Sequence, residues 1–169
     1  HIGAALTAAM ARQARAEMQR NARYQWLGEL SPGQTKRRLA RSRLLVLSSR
    51  MEGGANVISE SLAVGPPILA SRISGNVGLL GRGYAGYFPV EDENALAGLM
   101  ARAASDRRFY ENLKTQVKRL RPMVAPQAEA AADPEHVAVG PPTPLDTSDR
   151  IPRSIVQFVR RTGRDVVLA

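Results

Sequence analysis

Two carboxylates, Glu52 and Glu60, stand with seven residues between them, and the first is followed directly by the glycine pair Gly53-Gly54. Glycines without side chains let a ligand approach the backbone, and a helix opening just beyond them offers unpaired amides and the positive end of its dipole. That combination suits a diphosphate. Carboxylates accept well from paired hydroxyls, so a sugar at one end and a ribose at the other fit Glu52 and Glu60. A helix of eight residues rises about 12 Å, so with part of the stretch looped the two acids can touch opposite ends of one elongated ligand. Taken without context, the same residues read as a helix-start acid, a solvated helix acid and ordinary turn glycines.

The neighbouring elements decide which context applies. Leu44-Leu45-Val46-Leu47 is a continuous apolar run bounded by polar residues, the pattern of a parallel strand covered on both faces. The loop from Ser48 to Gly54 leaves it and enters a helix from Ala55 to Leu62, which Gly65-Pro66 stops. Ile68-Leu69-Ala70 is a second buried strand. A short helix or turn after Gly75 carries Val77, Leu79 and Leu80, and Gly86-Tyr87-Phe88-Pro89-Val90 reads as a short edge strand, because Pro89 cannot donate to a ladder. Asp92 and Asp106 cap two further helices. Their apolar faces hold Ala95, Leu96, Leu99, Met100 and Ala103 in the first, and Phe109, Leu113, Val117 and Leu120 in the second.

Upstream, Ala4 to Gln19 reads as a helix with a stripe of Leu6, Ala9, Met10, Ala14 and Met18, and Tyr24 to Gly28 as a short strand. Ser31-Pro32-Gly33-Gln34 has the form of a capping box opening a helix to about Arg41. Strands alternating with helices imply an α/β domain, a parallel sheet with helices on both faces. Ligands of such sheets bind beyond the carboxyl ends of the strands, which places the Glu52 to Glu60 loop and the Ser74-Gly75-Asn76 turn at the site. Gly75 and Asn76 border either an acceptor or an ordinary turn. Residues 1–132 form this domain; residues 133–169, broken by Pro134, Pro141, Pro142, Pro144 and Pro152, read as an irregular tail with a short helix at most near Ser154 to Arg160.

With 169 residues the chain suffices for one domain, and no cysteine is present to make a disulfide, a thiolate metal site or a thiol nucleophile. That fits a reducing, cytoplasmic compartment. No run reaches the roughly 18 to 20 apolar residues of a membrane span. The net charge is +9, and residues 1–132 carry all of the excess, with 19 Lys and Arg against 10 Asp and Glu. The basic residues are scattered except for Lys36-Arg37-Arg38, and aromatics that would stack on bases are few, so a solvated basic surface is favoured over a nucleic-acid site.

The stretch from Ser49 to Ala70, with Glu52, seven intervening residues, Glu60 and then Ala63-Val64-Gly65-Pro66-Pro67-Ile68-Leu69-Ala70, resembles the nucleotide-sugar signature of family-four retaining glycosyltransferases. It resembles the C-terminal, Rossmann-like domain of their GT-B fold, from roughly Tyr24 to Arg121. Met51 to Asn56 together with Gly75 to Gly81 is more particular and is similar to the selenosugar synthase subgroup of selenoneine biosynthesis, which joins a nucleotide-activated hexose to selenophosphate. The resemblance implies that Glu52 is the catalytic-site carboxylate on the donor sugar, that Glu60 holds the ribose, and that Gly53, Gly54, Ala55 and Asn56 present backbone amides to sugar or phosphates. It implies a UDP-hexose type of donor, a small-molecule acceptor, no cofactor and no metal, in keeping with the lack of an Asp-x-Asp triad. Gly54 and Ala55 stand where the commoner pattern has an aromatic residue and a further glycine.

The chain begins with His1 rather than Met, and no recognisable basic clamp precedes the glycine loop. The expectation is therefore a fragment of a longer enzyme that keeps part of the donor site, lacks most of the acceptor site and is inactive alone. A non-catalytic nucleotide-sugar-binding module and a basic nucleic-acid-binding domain are the other readings.

Overall fold

The computed structural model describes residues 1–5, 7–50, 56–130 and 166–168. The apolar runs form the strands expected of them: β1 is Leu44–Leu47 and β2 is Ile68–Ser71, and every residue of both is buried. Successive strand side chains point to opposite faces, so burial of all of them means that both faces are covered. The two pair in parallel, Leu45 opposite Ile68 and Leu47 opposite Ala70. β3, Tyr87–Phe88, joins the outer side of β2 in parallel, and β4, Val166–Leu168, joins β1, giving a four-stranded sheet ordered β3-β2-β1-β4.

Helices connect and cover this sheet: α1 (Ala8–Arg20), α2 (Pro32–Arg41), α3 (Asn56–Val64), α4 (Ser74–Leu80), α5 (Glu93–Ser105) and α6 (Arg107–Ala130). The architecture is the α/β, Rossmann-like one expected. Local chemistry sets most boundaries. Ser31 and Gln34 close a capping box, with the Ser31 amide 3.0 Å from Gln34 Oε1 and the Gln34 amide 3.4 Å from Ser31 Oγ, and Pro32 opens α2. Asp92 accepts from the Ala95 amide at 2.8 Å to start α5, and Asp106 from the Phe109 amide at 3.0 Å to start α6. Gly65 ends α3 at a φ of +101°, the left-handed conformation that glycine takes without strain. α3 packs against α2, α4 and α6, and α5 against α6, β2 and β3. Ile58 and Leu62 of α3, Leu96 and Met100 of α5, and Leu113 and Val117 of α6 join the strands in the core.

Five expectations are corrected. In the tail read as irregular, Val166–Leu168 form β4, because the edge of β1 offers free backbone groups that a short apolar segment satisfies; Ser154 to Arg160 lie outside the described residues. Tyr24 to Gly28 is not a strand of the sheet. It instead exchanges backbone bonds with the first residues, Leu27 N–H donating to His1 O and Gly3 N–H to Gly28 O, both at 2.9 Å, while Trp26 Nε1 donates to Gly3 O. α1 starts at Ala8 rather than Ala4, since Thr7 Oγ1 accepts from the Met10 amide and caps it there. Of the described residues of the stripe assigned to α1, Ala14 alone is buried, and Ala9 and Met18 are exposed, because only one face of the helix near Tyr24 reaches the core; Leu6 lies outside the described residues. β3 is two residues rather than five, as Pro89 and the turn behind it leave the ladder.

Two contacts hold the sheet in register. The Tyr84 hydroxyl donates to Ile68 O at 2.7 Å and accepts from Ile68 N at 3.1 Å, occupying both backbone groups of the first residue of β2. Burial raises its pKa. Gly86 passes so close to this point that a Cβ there would run into Ile68 O and lie 2.7 Å from the Tyr84 ring. No helix among the described residues is long and apolar enough to cross a membrane.

Candidate functional site

Parallel pairing brings the carboxyl ends of β1, β2 and β3 to one edge of the sheet, with Leu47 opposite Ala70 and Ser71 opposite Phe88. Ligands of such sheets bind there. The segments leaving that edge are Ser48-Ser49-Arg50 after β1, Arg72-Ile73 and α4 after β2, and Pro89 to Asp92 after β3.

Glu52, Gly53, Gly54 and Ala55 lie outside the described residues. Asn56 opens α3 and Glu60 is its fifth residue, about 6 Å further along the axis. Glu60 is half-buried, and burial pushes its carboxyl above the ordinary 4.5, with Lys36 of α2 pulling the other way. A carboxylate partly stripped of water beside one lysine gains from hydroxyl donors supplied by a ligand. The fold thus brings Lys36, from the basic cluster read as solvated surface, to the helix that carries Glu60.

The edge is built by a buried polar network of which the sequence singled out only Asn76. Ser71 Oγ donates to Ser49 O at 2.5 Å, joining the ends of β1 and β2. Asn76 Nδ2 donates to Ser71 O at 2.8 Å and to Ser71 Oγ at 3.3 Å. The Ser71 hydroxyl spends its proton on Ser49, so it can only accept from Asn76, which fixes the amide's orientation. Ser71 and Asn76 are both fully buried, and Asn76 Oδ1 has no hydrogen-bond partner among the described residues. The Tyr87 hydroxyl stands 3.1 Å from the carbonyls of Asn76 and Gly81, bracing α4 near both its ends, and burial pushes it up to about 12 against the pull of Arg72. The Arg72 guanidinium lies 5.7 Å from the Tyr87 ring centre. The sequence marked Ser74 to Gly81 by their place after a strand and by resemblance, but nothing in it tied Asn76 to Ser71 and Ser49.

Two charged residues were also missed. Arg50, the third residue after β1, has its Nε 2.7 Å from Glu91 Oε1, in the turn after β3. The signal was present, since Arg50 lies two residues before Glu52, but the sequence could not join it to an acid 41 residues away. Among the described residues no group of three or more His, Cys, Asp and Glu side chains could hold a metal ion.

The family described as Glycosyl transferases group 1 matches residues 7–120, about two thirds of the chain. The match takes in α1 to α5, β1 to β3, all of the edge just described and the first half of α6. No curated protein matches the sequence.

Proposed function

We propose, given that the chain belongs to the glycosyl transferases of group 1, that it binds a nucleotide-sugar donor of the UDP-hexose type along the edge from Ser49 to Glu60. The observation that carries this reading is Glu60, a half-buried carboxylate raised by desolvation on the helix that follows β1, at the carboxyl edge of a parallel sheet. Glu60 holds the ribose hydroxyls, Glu52 the hexose hydroxyls, and Gly53, Gly54, Ala55 and Asn56 supply amides to the sugar or the phosphates. Catalysis consists of orienting the donor and stabilising charge on the departing diphosphate.

Met51 to Asn56 and Gly75 to Gly81, by their similarity to the selenosugar synthases, support selenophosphate as acceptor and a selenosugar as product. The acceptor is held mainly by a further domain of the complete enzyme. Calorimetric titration of the chain with UDP tests the donor reading, and saturable binding is expected. In the complete enzyme, Glu52→Ala lowers turnover on the order of a hundredfold and leaves UDP affinity nearly unchanged, because UDP lacks the hexose. Mass-spectrometric detection of a hexosyl selenophosphate product tests the acceptor. Wild-type turnover in the Glu52→Ala enzyme would remove Glu52 from the site, and binding of duplex or single-stranded nucleic acid with a steep salt slope, without UDP binding, would favour the basic-domain alternative.

A further inference from the structure

The turn after β3 runs from Pro89 to Asp92 and is closed by Asp92 N–H donating to Pro89 O at 3.2 Å. Its third residue, Glu91, has a φ of +65°, and among the described residues it is the only non-glycine with a positive φ. A turn with positive φ at that place calls for glycine or asparagine. A glutamate there is strained, and strain retained at the functional edge of a fold points to what the side chain does. What Glu91 does is hold Arg50, Oε1 to Nε at 2.7 Å. Arg50 follows β1 and Glu91 follows β3, with β2 between them, so the pair links the segments leaving two strands that lie about 9 to 10 Å apart in the sheet. The guanidinium is thereby held over the edge where ligands of parallel sheets bind. The two side chains are 37 % and 60 % exposed, so water and salt screen the pair and its bond is easily exchanged. A guanidinium also matches a phosphate with two parallel N–H donors, a stronger arrangement than a single contact to a screened carboxylate.

We propose that Arg50 is the cation that receives the diphosphate of the donor, and that Glu91 is a stand-in anion, keeping the guanidinium over the site when it is empty and releasing it to the ligand. The proposal rests on the donor reading given above.

The test is calorimetry on the full chain at low ionic strength with three probes: UDP, inorganic pyrophosphate and uridine. Arg50→Gln is expected to weaken UDP and pyrophosphate at least tenfold and to leave uridine unchanged. Glu91→Gln removes this competitor for the guanidinium and is expected to tighten pyrophosphate by about two- to fivefold, the range of a screened ion pair. In the Arg50→Gln background, Glu91→Gln should change nothing, a coupling that a merely structural salt bridge would not produce. If wild type binds UDP and Arg50→Gln binds it equally well, the proposal fails and the donor reading stands. Weakening of pyrophosphate by Glu91→Gln would also overturn it, since the intact pair would then be what the ligand needs. If wild type binds none of the three, the donor reading fails and takes this one with it. Should Arg50→Gln lose its circular dichroism, Glu91→Gln decides alone, tightening in favour and no change or weakening against.

Discussion

Glu60→Gln separates a carboxylate kept for a ligand from one kept for the fold. The folded-state pKa of Glu60 lies above the unfolded one because burial outweighs the pull of Lys36. A raised carboxyl pKa means that the folded chain binds the proton more tightly, so stability falls as pH rises from 4.5 through the folded value. At pH 7 the ionised Glu60 is therefore a net burden on folding, and the neutral isostere lifts it. The melting temperature of Glu60→Gln at pH 7 should equal or exceed that of wild type, and the difference should vanish in acid, where wild type is protonated too. Binding moves the opposite way. Two ribose hydroxyls lose a charged acceptor, which costs about 1.5 to 3 kcal/mol, or roughly 10- to 150-fold in UDP affinity. Scanning fluorimetry from pH 4 to 8 and calorimetry with UDP on the same preparations measure both. Unchanged UDP affinity would take Glu60 out of the site. A fall in melting temperature of several degrees would show the carboxylate to be structural and refute the desolvation argument.

Three further outcomes follow from the same geometry. Gly86→Ala drives a methyl against Ile68 O, the Tyr84 ring and Leu113, and overpacking of that kind costs about 1 to 3 kcal/mol, read as a lower denaturant midpoint at constant slope. Asn76→Ala removes the donor to Ser71 and costs about 1 kcal/mol, whereas Asn76→Asp places a carboxylate against the carbonyl of fully buried Ser71, costs more, and recovers part of the loss as pH is lowered. Asp106 is held below its ordinary 3.8, first by the Phe109 amide and then by Arg102, so its contribution to stability is present above 3.8 and lost as pH falls through the lower folded value. Asp106→Asn should flatten the acid limb of melting temperature against pH between 2 and 5, and an unaltered limb would show that the cap charge is not felt.

The placement of the crossover from β1 to α3 follows from residues close together in the chain. An apolar strand, a polar loop and a capped or glycine-stopped helix are each specified within a dozen residues, which is why Leu44–Leu47, Ile68–Ser71 and the helices capped by Ser31, Asp92 and Asp106 lie where their patterns put them. Periodicity failed for α1, whose apolar residues are too small and sparse to show how much of the helix touches the core. Lys36 near Glu60 was hidden for a different reason, since a basic run on a helix reads the same whether it faces water or a neighbouring carboxylate.

By itself the sequence determined the α/β class, the places of β1, β2 and β3 along the chain and the helix that carries Glu60, because hydrophobic runs, caps and glycines act locally. The tertiary structure alone decided which strands neighbour one another, that Val166–Leu168 return to pair with β1, that Ser71 and Asn76 are buried in one network with Ser49, and that Arg50 reaches Glu91. Those are contacts between residues that are polar or carry little pattern, brought together across the sheet by packing of the apolar core. Their partners are chosen by what burial leaves unsatisfied, and no window of neighbouring residues contains that information.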